Sequence, residues 1–132
     1  MIVDVSGPAV PRLSRAAIAL FVQRVLRAVR AKGIEEVSIA FVSDSAMRDL
    51  NRHYRGKNKT TDVLTFAGDR PDIVISLDQA RRQATAEKHS LATEVRYLIL
   101  HGVLHALGYD HETDNGEMNA LEIRVRGRVG LK

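Results

Sequence analysis

Three histidines in the segment HGVLHALGYDH, at positions 101, 105 and 111, have the types and spacing that point most directly to chemistry. Residues four apart in a helix project from one face about one turn apart, so His101 and His105 can share a metal ion. Gly108 then offers a position at which the helix can end and the chain swing back, bringing His111 to the same ion. Three imidazole ligands leave a tetrahedral zinc ion one position short, which is how catalytic zinc differs from structural zinc. A lone histidine on an apolar helix face is usually a hydrogen-bonded core residue. Two of them within YLILHGVLHAL are better explained by a shared ion, because an unpaired polar ring is costly to bury. His53 and His89 lack comparable spacing and read as surface residues.

The elements that must position these residues follow from periodicity and turn signals. IVDVS at the start alternates like a strand, VSIAFV at 37–42 reads as a buried strand, and VLTF and DIVIS are two more, each bounded by turn residues. From Arg12 to Lys32 apolar residues recur at helical spacing, with Gly33 as the expected terminator. A short helix capped by Ser43, Asp44 or Ser45 runs towards Tyr54, and RGKNK follows as a charged turn. Further helices are expected over Ala80 to Lys88, Leu91 to Leu107, and Glu117 to about Arg126. This order implies an α+β fold: one domain over residues 1–132, with a four-stranded mixed sheet packed by helices. The helix bearing the histidines should be central, since Val95, Leu98, Ile99, Val103 and Leu104 cover too much of its circumference for a surface helix.

Composition narrows the class. At 132 residues the chain can bury a substantial core without covalent staples. It has no cysteine, which excludes disulfides and thiolate ligands and makes a cytoplasmic setting the natural expectation. Zinc must then be held by histidine or carboxylate. No apolar run is long enough to span a bilayer, and MIVDVSGPAVPRL has no signal-peptide character. A net charge of +4 and a pI near 9.8 suit a polyanionic partner but do not by themselves identify one.

The segment HGVLHALGYDH resembles the signature of the YbeY family of bacterial endoribonucleases, whose pattern is close to HGxLHLxGYDH. Upstream, LNRHYRGKNKTTDVLTF is similar to that family's LNxxYRxKDxPTDVLSF, and DIVIS with the helix after it resembles its GDIxIS block. Met118 and Glu122 fall where the family often has methionine and glutamate, so the likeness runs from about Met47 to Glu122. It implies a metal-dependent ribonuclease of single-stranded RNA, acting in ribosomal RNA maturation and ribosome quality control. It further implies one zinc ion per chain on His101, His105 and His111, and ribosomal subunits or proteins as partners. Arg55 becomes the candidate catalytic residue, because the family places the arginine of the YR pair beside the metal. A guanidinium fork can grip a phosphate and counter the charge that builds on it. Arg52, Lys57 and Lys59 crowd the same stretch and are candidate contacts to the RNA backbone. Thr61 and Asp62 are expected to shape the turn into the next strand. The chain departs from the pattern at Thr60, where proline is usual, and at Pro71, where glycine is usual.

Two other classes share these residues. The histidine spacing also fits metzincin peptidases, in which a glutamate general base follows the first histidine. Here that position is Gly102, which argues against peptide hydrolysis by that route. A non-enzymatic RNA or ribosome binder stabilised by zinc would need a fourth ligand, such as a carboxylate. Asp110 adjoins His111, but a turn or hydrogen-bonding role is commoner for such a residue than that of a base.

Overall fold

Serine residues open four of the helices. Ser14, Ser43, Ser76 and Ser90 accept hydrogen bonds from the backbone N–H groups of Ala17, Ala46, Gln79 and Thr93, each satisfying a donor that the first turn would leave orphaned. In the computed structural model, which describes residues 1–110 and 114–131, these caps mark where four of the helices begin along the order of elements. That order is β1 (Ile2–Ser6), α1 (Arg15–Ala28), β2 (Glu36–Val42), α2 (Asp44–Arg55), β3 (Val63–Phe66), β4 (Asp72–Ser76), α3 (Leu77–Glu87), α4 (Leu91–Ala106) and α5 (Glu117–Arg128). Ser76 ends β4 and caps α3, so the strand passes into the helix without a loop.

The four strands form one mixed sheet in the order β1-β2-β4-β3. β1 and β4 run parallel to β2, while β3 pairs antiparallel with β4. The result is the α+β fold that the pattern of strands and helices implied. Alternation along the strands sends side chains to two faces. Val37, Ile39, Phe41, Ile73 and Ile75 enter the main core under α1 and α4, whereas Val74 joins Leu64 and Met47 in a smaller cluster beneath α2. Burial on both sides explains why DIVIS is apolar throughout its middle.

Helix α4 is central as expected, touching β3, β4, α1, α3 and α5. Its end follows from Gly108, which adopts φ 97°. There the N–H of Gly108 bonds the His105 carbonyl, and that of Tyr109 bonds the Leu104 carbonyl. That pair of bonds is the Schellman arrangement, which favours glycine at its left-handed position. Helix α1 is shorter than its apolar periodicity implied. It stops at Ala28 because Arg30, not Gly33, takes the left-handed position, at φ 56°. The N–H groups of Arg30 and Ala31 bond the carbonyls of Arg27 and Leu26. No helix is long and apolar enough to cross a membrane among the described residues.

Candidate metal centre

His101 and His105 sit one turn apart on α4, as their spacing required. Their Nε2 atoms approach to 3.0 Å, with ring centroids 4.5 Å apart and planes crossing at 73°. Two nitrogens bound to one tetrahedral zinc at about 2.0–2.1 Å each would lie roughly 3.3 Å apart. The observed approach is close to that value, and it is also a distance at which one ring can donate a hydrogen bond to the other. On its other side His101 presents Nδ1 to Oε1 of Glu122 at 3.5 Å. A carboxylate there favours the tautomer that carries its proton on Nδ1 and its lone pair on Nε2, the arrangement a metal-binding histidine needs. Glu122 is 7% exposed and is delivered by α5, where Met118, Leu121 and Val125 are buried beside it.

The donor chemistry of this pair fits zinc or a similar divalent ion. The third expected ligand, His111, lies outside the described residues. Among the described residues no three metal-binding side chains form a cluster.

The two histidines open onto a cleft of about 400 Å³, whose lining includes Arg55, Asp62, Thr65 and Asp110. Arg55 is the last residue of α2, which ends where Gly56 turns left-handed at φ 67°. The RGKNK turn is tied back at its far end. Asn51 donates from Nδ2 to the Lys59 carbonyl at 2.9 Å, and Thr60 donates to Oδ1 of Asp44 at 3.3 Å. Thr60, the departure from the usual proline, therefore takes part in a network about Asp44. That carboxylate also accepts from Ser76 Oγ at 2.7 Å and pairs with Arg82. The Ser76 hydroxyl foremost, then Arg82 and Thr60, holds the Asp44 carboxyl below its usual range against the opposing effect of burial.

Asp62 has the shaping role expected of it. Its Oδ1 accepts from the Val63 N–H at 2.8 Å, and its Oδ2 accepts from Gln83 at 3.2 Å. Arg52, Lys57 and Lys59 are exposed and lie outside the cleft lining. Arg52 pairs at the surface with Asp49, 3.3 Å away. His53 is exposed as expected, but His89 is not a plain surface residue. Its Nε2 lies 2.6 Å from Oε1 of buried Glu94, and its ring stacks on Tyr97.

Gly102 marks where α4 meets the sheet most closely. A Cβ there would stand 2.7 Å from Cγ2 of Ile73 and 3.3 Å from Oγ1 of Thr65. Any side chain at this position would drive into the sheet, so the glutamate of a metzincin site has no room here.

Sequence reasoning noted Glu122 without seeing its partner and missed the Asp44 network. The signal for Glu122 was a carboxylate within the core-facing set Met118, Leu121, Glu122 and Val125.

Fold and site together define an α+β protein in which two helix-borne histidines and an arginine line one cleft. The chain belongs to the endoribonuclease YbeY family, whose model matches residues 10–130. It is 44% identical to endoribonuclease YbeY of Koribacter versatilis, covering 90% of this chain and 80% of that protein. It is 42% identical to the YbeY of Moorella thermoacetica, over 83% of this chain and 85% of that one. The solution structure of TM1509 from Thermotoga maritima superimposes with a TM-score of 0.66 at 25% identity, covering 98% of this chain and 89% of the other.

Proposed function

We propose that this protein is a zinc-dependent endoribonuclease specific for single-stranded RNA, acting in ribosomal RNA maturation and ribosome quality control. The observation that carries the reading is that Arg55, His101 and His105 line one cleft in a chain of the YbeY family. Ribosomal RNA is the proposed substrate, with ribosomal subunits or proteins as partners and the cytoplasm as the setting.

In this reading His101, His105 and His111 hold one zinc ion, which supplies Lewis-acid polarisation of a phosphoryl oxygen or of water. Arg55 reaches the scissile phosphate from the end of α2, grips its oxygens and counters the charge that grows on them. Glu122 orients the His101 ring from behind. Arg52, from the last turn of α2, and Lys57 and Lys59, from the exposed turn after it, attract the RNA backbone electrostatically.

Incubating the purified chain with single-stranded RNA, double-stranded RNA and an unfolded protein, each with and without chelator, tests the reading. Chelator-sensitive cleavage confined to single-stranded RNA is the expected result. Chelator-sensitive proteolysis with the RNA intact would overturn it.

A further inference from the structure

Three arginines converge on a second pocket, of about 270 Å³, formed where the end of α1 meets α5. Arg124 and Arg128 stand one turn apart on α5, on the same stripe as Leu121 and Val125, and Arg30 comes from the turn that ends α1. No carboxylate lines this pocket, and the rest of its wall is apolar apart from Tyr109. None of the three guanidinium groups has an ion-pair partner among the described residues. Like charges gathered without a counter-charge repel one another, and the arrangement favours an anion. Tyr109 is 36% exposed and adds an aromatic ring at the rim. The next residue along the chain, Asp110, lines the histidine cleft, so the two depressions flank one short segment.

We propose that Arg30, Arg124, Arg128 and Tyr109 form a subsite for single-stranded RNA just outside the cleft, the arginines binding phosphodiester groups and Tyr109 stacking on a base. A basic groove with an aromatic platform is how single strands are held without sequence preference. This inference rests on the endoribonuclease reading and extends the substrate path to a surface built from elements other than the RGKNK turn.

Arg30 supplies an independent lever. It occupies the left-handed position that ends α1, whereas glycine holds the corresponding position at the end of α4, Gly108. An L residue is disfavoured there, so Arg30→Gly should relieve the backbone while deleting a phosphate-binding group.

The test uses the zinc-loaded full chain and filter binding of a 2′-O-methyl single strand, whose capture does not depend on cleavage. Replacing Arg124 and Arg128 together with glutamine should weaken binding several-fold and lower the slope of log affinity against log salt by about 0.7 for each phosphate no longer neutralised. Arg30→Gly should melt at the same temperature as the unaltered chain or higher, yet bind more weakly. Unchanged affinity and salt slope in both variants would overturn the proposal. So would unchanged RNA binding accompanied by loss, in the variants, of thermal protection by inorganic phosphate, since that assigns the pocket to free phosphate. If the unaltered chain binds the strand through these arginines but fails to cut unmodified RNA, the catalytic reading falls and the subsite stands.

Discussion

Glu122 of α5 faces His101 of α4, its Oε1 3.5 Å from the imidazole Nδ1. The contact joins two helices at the ring that the proposed metal would use, and a buried carboxylate is retained there among apolar neighbours. Carboxylates behind metal-binding histidines fix the tautomer and raise ligand basicity. Glu122→Gln keeps the side-chain volume and removes the charge, so it should lower zinc affinity by roughly 10–100-fold without unfolding the chain. A competitive chelator titration reads the change, and an unaltered affinity would reduce Glu122 to a packing role.

Gly102→Ala sets two effects against each other. Alanine is favoured over glycine within a helix by about 1 kcal/mol. The added methyl, however, would sit 2.7 Å from Cγ2 of Ile73, which is fully buried and branched at Cβ. Overpacking of this kind costs about 1–3 kcal/mol, so the clash should win and the variant should melt at a lower temperature. Partial recovery in combination with Ile73→Ala would locate the strain at that contact.

Arg55→Ala should leave the melting temperature and zinc content near their original values, because the residue is exposed at the end of α2. Turnover on single-stranded RNA should fall by about 10²-fold or more, the scale seen when one donor to a developing charge is removed. A steady-state rate equal to that of the unaltered chain would return Arg55 to an ordinary solvated arginine.

Asp44 should make stability depend on acid. Its carboxyl titrates lower in the folded chain, chiefly because the Ser76 hydroxyl and then the Arg82 guanidinium favour the charged form. A depressed folded pKa contributes stability above the unfolded value, about 3.9, and that contribution is lost as pH falls through the folded value. Denaturant melts of the unaltered chain and Asp44→Asn should therefore differ at neutral pH and converge in acid. A difference that persists unchanged into strong acid would contradict this role.

Much of this architecture was legible because local signals agreed. The four strands stand out as short apolar runs between turn residues, and the α4 histidines declare their shared face by spacing alone. Gly108 was readable as a terminator because a left-handed helix end favours glycine. The same rule placed the end of α1 too late, since Arg30 takes the strained position that Gly33 was expected to mark. His89 was misjudged for a different reason: its partner Glu94 is close in sequence, but its burial depends on the packing of α3 against α4. Glu122 and the Asp44 network are tertiary in the same sense. Ser76 and Asp44 are 32 positions apart, and no periodicity within one element reports such a contact.

The central claim is that RNA cleavage depends on zinc held by the α4 histidines and His111. Its most direct test strips the purified chain of metal, measures cleavage of single-stranded RNA, and then follows activity during titration with zinc while bound metal is quantified. The account predicts loss of cleavage on stripping and recovery that saturates at one zinc per chain, with His101→Ala failing to recover. Full cleavage by a chain shown to carry no metal would contradict it.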